Sequence, residues 1–272
     1  NKIMKKILFG LLLFSFVNAL SINPVIEYLY EPDSLGLDFK EYQLLTKDKA
    51  KINSWWLSPL VKNDNNNNVI IIAGGDAGNM SYLLNHAYSI SYNGYNVVLF
   101  DYRGFGKSSS FEINQKQLYY NEFTDDLETV ISKVKEKWND KKIGVLALSM
   151  GTIITNSYLK THTLDYIILE GVVSNTSNFT TKVENLKNRK ILLPKSSKKY
   201  DELFFVNLQN AKNVIIFHGT EDNFSEITEL KKIKKINIIE FNGGHLQGFH
   251  SLSKNYFGDL YINHITSFFN NK

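Results

Sequence analysis

The 272-residue chain is 43% apolar and 21% charged, a balance that buries a core and excludes collagen-like, coiled-coil and disordered chains. Its 31 basic and 27 acidic residues leave a net charge of +4, too balanced for a nucleic-acid-binding surface. It has no cysteine, which excludes disulfides, thiolate metal sites, iron–sulfur clusters and a cysteine nucleophile, and no apolar run of the roughly 20 residues a membrane-spanning helix needs.

Met4-Lys5-Lys6 precedes an apolar run from Ile7 to Val17, and Val17-Asn18-Ala19 follows with small or aliphatic residues at its ends. The order basic, apolar, small is that of a secretory signal peptide cleaved after Ala19. The chain is therefore expected to be exported, or held at a membrane if the segment stays uncleaved. A buried amphipathic first helix is the alternative. Residues 20–272 are then expected to form one domain.

Phe39–Thr46 and Lys51–Leu57 read as two short strands in a hairpin, and Asn63–Asn68 as a solvated Asn-rich loop. From there the pattern is regular. Val69–Ala73, Asn96–Tyr102, Ile143–Leu148, Leu164–Glu170, Asn213–His218 and Ile236–Phe241 are apolar runs, the first two separated by a predicted helix over Met80–Tyr92. Phe123, Leu127, Val130, Ile131, Val134 and Trp138 make one stripe of a helix over Asn121–Trp138, whose other face carries Glu128, Lys133, Lys135 and Glu136. Strands apolar on both faces that alternate with helices predict an open α/β domain with a mostly parallel sheet covered on both sides. Ser174–Lys212 interrupts the alternation. It is polar and basic, with Lys182, Lys187, Arg189, Lys190, Lys195, Lys198 and Lys199. It is longer than a crossover requires, so residues 174–212 are expected to form a small lid over the carboxyl edge of the sheet; an ordinary helix with a long loop is the alternative.

Three loops carry chemistry. Ala147-Leu148-Ser149-Met150-Gly151 joins a buried strand to a helix, and a serine on such a sharp turn needs small residues two before and two after. The turn exposes the Ser149 hydroxyl and sets the Met150 amide at a helix start, where it can donate to an oxyanion. A serine hydroxyl needs a base to become a nucleophile. Asp222 and His245 both follow strands, as Ser149 does, and in a parallel sheet those ends share one edge. Serine, acid and histidine stand in the chain order of a strand–turn–helix serine hydrolase. His218, which ends a strand, and His250 compete as base, and Glu221 and Glu170 compete as acid.

The chain resembles serine hydrolases of the alpha/beta-hydrolase superfamily, nearest to its esterase, thioesterase and serine-aminopeptidase-like proteins. The resemblance runs from about Phe39 to the carboxyl terminus and rests on Phe100-Asp101-Tyr102-Arg103-Gly104-Phe105-Gly106-Lys107-Ser108, on Ile216-Phe217-His218-Gly219-Thr220-Glu221-Asp222, on the serine turn and on Trp56 in the early sheet. It implies that Gly74-Gly75-Asp76-Ala77 is the oxyanion loop, with the Asp76 amide beside that of Met150. Two departures stand out: Gly74 occupies the position where the family usually has histidine, which changes what supports the loop, and Ala147 replaces a glycine.

Cofactors are not expected. A phosphate-binding loop ending at Gly106-Lys107-Ser108 would need glycine where Asp101 stands, and Gly74, Gly75 and Gly78 lack dinucleotide spacing. The histidines show no paired helical spacing with a glutamate, so no metal site is indicated. The expected activity is hydrolysis of an ester or thioester on a small or lipid-like acyl substrate, with an amide second. Basic residues of the expected lid can steer acidic substrates or anionic lipid headgroups. The competing class is a hydrolase fold retained as a binding protein; a peptidase that releases amino-terminal residues would need an acidic site for the substrate amine, and no motif supplies one.

Overall fold

The structure is a computed structural model that describes residues 22–188, 190–233 and 235–270. The expected signal peptide at residues 1–19 lies outside the described residues. In chain order the strands are β1 (Asn23–Pro24), β2 (Phe39–Leu45), β3 (Lys51–Leu57), β4 (Asn68–Ala73), β5 (Ala77–Gly78), β6 (Asn96–Phe100), β7 (Lys142–Leu148), β8 (Tyr166–Glu170), β9 (Val214–Gly219) and β10 (Ile236–Phe241). The helices are α1 (Leu84–Tyr92), α2 (Glu122–Lys137), α3 (Met150–Leu159), α4 (Thr176–Lys187), α5 (Ser197–Asn210), α6 (Ile227–Leu230), α7 (Gly248–Ser251) and α8 (Asp259–Asn270).

Eight of the described strands form one sheet in the order β10-β9-β8-β7-β4-β6-β3-β2. The β2–β3 hairpin is antiparallel and joins antiparallel to β6, while every pairing from β6 to β10 is parallel. The apolar runs follow from covering both faces. In β4, Val69, Ile71 and Ala73 enter one hydrophobic cluster and Ile70 and Ile72 the other. The first cluster takes the stripe of α2, Phe123, Leu127, Val130, Ile131 and Val134, together with α3 and α5; the second takes α1 and α8. Each strand is thus sorted residue by residue between two helical layers. β10 departs from the others. It is one of the two sheet edges, half-exposed with only Phe241 buried, so its run is shielded less than those of β4 or β7.

Segment 174–212 resolves into two helices with different neighbours. α5 packs on α3, where the Asn207 amide donates to the Asn156 carbonyl and side-chain oxygen, each at 3.1 Å, so it serves as the crossover helix. α4 reaches the loop after β9 through the Phe179 and Phe224 rings, 5.7 Å apart, and the Lys182–Glu226 ion pair at 3.3 Å. Among the described residues no helix is long and apolar enough to cross a membrane.

Arg103 ties the loop after β6 to α2. Its guanidinium donates to Asp126 at 2.7 and 2.9 Å and to Asp48 at 2.6 and 3.1 Å, and its own amide donates to Asp126 at 3.0 Å. The two partners differ in exposure: the Asp126 side chain is 0% exposed and that of Asp48 53%. Breaking a buried pair strands a charge and costs about 3–5 kcal/mol, whereas an exposed pair is worth under about 1 kcal/mol. Urea unfolding should therefore show Asp126→Ala losing most of the first figure and Asp48→Ala no more than the second; equal losses would mean that burial does not decide the strength of this pair.

Candidate active site

β4 is the point where the strand order reverses, with β7 on one side and β6 on the other, the topological switch point at the carboxyl ends of the strands. The loop after β4 and the turn after β7 face each other across it. At that turn Ser149 adopts φ 50° and ψ −112° before α3 begins at Met150. A positive φ on a non-glycine residue costs about 1–3 kcal/mol and is held by the structure around it. Part of that hold is visible: the Ser149 amide donates to the Glu170 carbonyl at 3.0 Å and its carbonyl accepts from the Thr152 hydroxyl at 2.7 Å. At Gly151 a β-carbon would lie 2.2 Å from the Ala73 carbonyl oxygen, so only glycine fits. Ala147 lies within regular β7, paired with Ala73 and Leu169 and outside the strained turn, which is why a methyl group is accepted where the family usually has glycine.

The three residues expected to converge do so. Ser149 Oγ lies 2.9 Å from His245 Nε2, and His245 Nδ1 lies 2.9 Å from Asp222 Oδ2. The loops carrying acid and base are stitched together, with Thr220 and Glu221 amides donating to the Phe241 and Gly243 carbonyls at 2.9 Å each. Asp222 is oriented by the Phe224 amide at 2.9 Å, the Ser225 amide at 3.3 Å and the Ser225 hydroxyl at 2.7 Å. The rival residues stand elsewhere: His218 is buried in β9, His250 lies within α7, and Glu221 gives its amide, not its carboxylate, to this stitching. Glu170 is buried at the end of β8 and receives the Gly248 amide instead of the imidazole.

Electrostatics separate the roles. Burial raises the Asp222 carboxyl, but the bond and charge of His245, the Ser225 hydroxyl and the Phe224 amide outweigh it and hold the group down at about 2. Burial lowers the His245 imidazole, but the bond and charge of Asp222, with the charges of Asp76 and Glu170, carry it above its usual value. Asp222 is therefore ionised throughout the neutral range, and His245 binds a proton readily when one is offered. Such a set can take a proton from Ser149 and return it to a leaving group. Among the described residues no group of three or more histidines and carboxylates is placed to hold a metal ion.

The loop after β4 is braced by residues that local sequence pattern did not single out. β1 pairs in parallel with β5, the Asn23 amide donating to the Asp76 carbonyl at 2.7 Å and the Val25 amide to the Gly78 carbonyl at 2.9 Å. The Asn79 side chain donates to the Val25 and Glu27 carbonyls at 2.9 and 2.8 Å. Asp101 accepts the Met80 amide at 2.7 Å on one oxygen and the Tyr28 hydroxyl at 2.6 Å on the other. Burial lifts its carboxyl to about 6. The motif around Asp101 is thus architecture: Arg103 makes the ion pairs to Asp126 and Asp48, a β-carbon at Gly106 would meet Asp101 at 2.0 Å, and the Ser108 hydroxyl donates to the Asp101 carbonyl at 2.7 Å. In the sequence this segment is a motif of the family resemblance, with Asp101 a charge at the end of an otherwise apolar strand, but nothing local names Tyr28 or Met80 as its partners. The support in question where Gly74 replaces histidine comes from this strap and from Asp101.

A doubly wound sheet with serine, acid and histidine at one edge defines the alpha/beta-hydrolase class. The chain belongs to the serine aminopeptidase (S33) family, whose profile matches residues 64–212. The uncharacterized protein YfhR of Escherichia coli K12 is 30% identical over 159 residues, 56% of this chain and 54% of that protein. The probable lysophospholipase L2 of Haemophilus influenzae is 34% identical over 101 residues, 37% of this chain and 32% of that protein. The chain thus spans about half the length or less of these curated relatives. Among solved structures, the Pyrococcus furiosus esterase Pf2001 aligns with a TM-score of 0.69 at 16% identity over 92% of this chain and 99% of its own. The Exiguobacterium antarcticum esterase EaEST aligns with a TM-score of 0.59 at 16% identity over 85% of this chain and 100% of its own. At those identities the likeness is one of fold.

Gly171 tests how closely the base is fitted. Its φ is +64°, and an added β-carbon would lie 2.7 Å from His245 Cε1. Gly171→Ala is expected to cost about 1–2 kcal/mol from the positive φ. It should also drive the imidazole beyond the roughly 3.2 Å reach of Ser149. A crystal structure of the variant with that hydrogen bond intact would show that the base has room to spare.

Proposed function

We propose that this chain is a serine hydrolase that cleaves a carboxylic ester or thioester through an acyl-enzyme on Ser149. The observation that carries the reading is the unbroken line from Ser149 Oγ to His245 Nε2 and from His245 Nδ1 to Asp222, each step 2.9 Å. In that reading Ser149 Oγ attacks the acyl carbon while its proton passes to Nε2. The tetrahedral oxyanion is held by the backbone amides of Met150, the first residue of α3, and of Asp76. As the intermediate collapses, the leaving oxygen or sulfur takes the proton from Nε2. Water then attacks the acyl-enzyme, gives a proton to Nε2 and releases the acid, and Ser149 regains its proton. Asp222 keeps the imidazole in one tautomer and stabilises the imidazolium.

The esterase names among the fold neighbours and the lysophospholipase name of a sequence relative support an ester and a small or lipid-like acyl substrate. The Phe179, Phe224 and His245 rings form a run with 5.7 Å spacing, which supports an apolar wall on the α4 side and α4 as part of a lid. The basic–apolar–small order of residues 4–19 supports export.

The test is covalent labelling of the folded protein by a fluorescent phosphonate, followed by hydrolysis of p-nitrophenyl esters of graded chain length. Wild type should label and Ser149→Ala should not. A folded wild type that resists the phosphonate would favour the binding-protein class.

The pH profile is a second check. Only neutral imidazole accepts the Ser149 proton, and His245 is raised above 6.5, so kcat/KM should climb with pH through a value above 6.5. Asp222→Asn should lower kcat by about 10⁴-fold and move that rise to lower pH, because the largest opposing influence on the imidazole's burial is gone. A rise that stays in place would show that Asp222 does not set the charge state of the base.

A further inference from the structure

The relay leaves one buried carboxylate beside it unused. Glu170 ends β8 at 2% exposure, and it is bonded to the main chain on both sides of the serine–histidine contact. Its carbonyl accepts the Ser149 amide at 3.0 Å, and its Oε1 accepts the Gly248 amide at 2.6 Å. Between His245 and Gly248 the chain passes through Leu246 at φ 57°, a conformation that costs a non-glycine residue about 1–2 kcal/mol. The Gln247 side chain closes the turn by accepting the Gly244 amide at 2.7 Å. The turn sits hard on the carboxylate: a β-carbon at Gly248 would lie 2.7 Å from Glu170 Oε1 and 2.8 Å from the Tyr261 ring. The buried Tyr261 hydroxyl faces the same carboxylate and bonds to it, lowering the Glu170 carboxyl as the Gly248 amide does.

A glutamine could accept the same amide without the several kcal/mol that burying a charge costs. The charge therefore needs an account of its own. The ionisable groups that act on Glu170 are His245, Asp222 and Tyr261, and those that act on His245 are Asp222, Asp76 and Glu170. We propose that Glu170 is a positioning residue of the site, whose carboxylate pins the Leu246 turn through Gly248 and supplies negative charge to the imidazolium that forms on His245. The inference rests on the acyl-transfer reading of Ser149, His245 and Asp222. Burial lifts the Glu170 carboxyl to about 7, against the Gly248 amide and the His245 charge, so a cation on His245 favours ionised Glu170 in the neutral range. Base and carboxylate thus titrate as a coupled pair.

Glu170→Gln keeps an acceptor for Gly248 and removes the charge; Glu170→Leu removes both. With Glu170→Gln the rise of kcat/KM should move down by roughly half a pH unit or more, as expected when a close opposite charge is lost, with little change in Tm. Glu170→Leu should lose about 10²-fold in kcat, the scale of a misplaced catalytic group. The His245 titration, followed by ¹⁵N NMR, is read in parallel on wild type and Glu170→Gln and needs no turnover. A profile and an imidazole titration that both stay in place in Glu170→Gln, while the phosphonate still labels Ser149, would overturn the proposal. An imidazole titration that moves in a protein that never labels would uphold the electrostatic link and sink the acyl-transfer reading instead.

Discussion

The active edge of this molecule depends on one backbone crowding. Gly151 runs so close to the end of β4 that the Ala73 carbonyl oxygen occupies the space 2.2 Å from where a side chain would begin. That closeness lets α3 start immediately after β7 and forces Ser149 into a φ of 50°. The serine leaves the strand path there, and its amide turns back to the Glu170 carbonyl on β8. The same approach puts the loop after β4 against the nucleophile, with the β-carbon position of Gly75 3.8 Å from that of Ser149. Neighbouring strands thus bring nucleophile, loop and Glu170 together through main-chain geometry before any side chain is chosen.

Side chains then assign the charges. Two carboxylates sit within the influence of one imidazole and are driven in opposite directions. Asp222 receives a hydroxyl, amides and the imidazole, and these hold it at about 2 despite burial. Glu170 lies deeper, receives one amide and the Tyr261 hydroxyl, and is lifted to about 7. Burial is the largest influence on both acids, and which one stays ionised follows from how far donors and the imidazole offset it. Glycines make the arrangement compact: Gly171 and Gly248 leave the imidazole and the carboxylate room that any β-carbon would take.

Much of this was legible in the sequence where the signal is local. Runs such as Val69–Ala73 report burial on both faces, and the α2 stripe reports its own layer. Ser149, Asp222 and His245 could be found because a parallel sheet sends successive strand ends to the same edge, so chain order and strand boundaries were sufficient. The strap was not legible. Tyr28 meets Asp101 across 73 residues of chain, and a two-residue pairing such as β1 with β5 leaves no periodicity to detect. Segment 174–212 could be seen to be too long but not how it divides, since the packing of α5 on α3 depends on Asn156 and Asn207, two polar residues that meet only in the fold. The half-exposed β10 reads like its buried neighbours because an edge strand can keep apolar residues that still touch the core from one side.

The strap explains how the loop after β4 stands with glycine at position 74. Where a side chain would otherwise hold such a loop, here the backbone of residues 23–25 bonds it from outside, and Asp101 bonds the Met80 amide from within. Asp101 also takes the Tyr28 hydroxyl, so strap and loop share one buried carboxylate. The geometry of the proposed site is therefore divided between two kinds of support. Ser149 rests on β7 in the sheet interior, where packing admits little adjustment, while His245 follows the edge strand β10 and is steadied by the Gly248 amide on Glu170. The loop rests on a peripheral strand of two residues and a few hydrogen bonds, the sort of element that opens at lower free energy than a core strand.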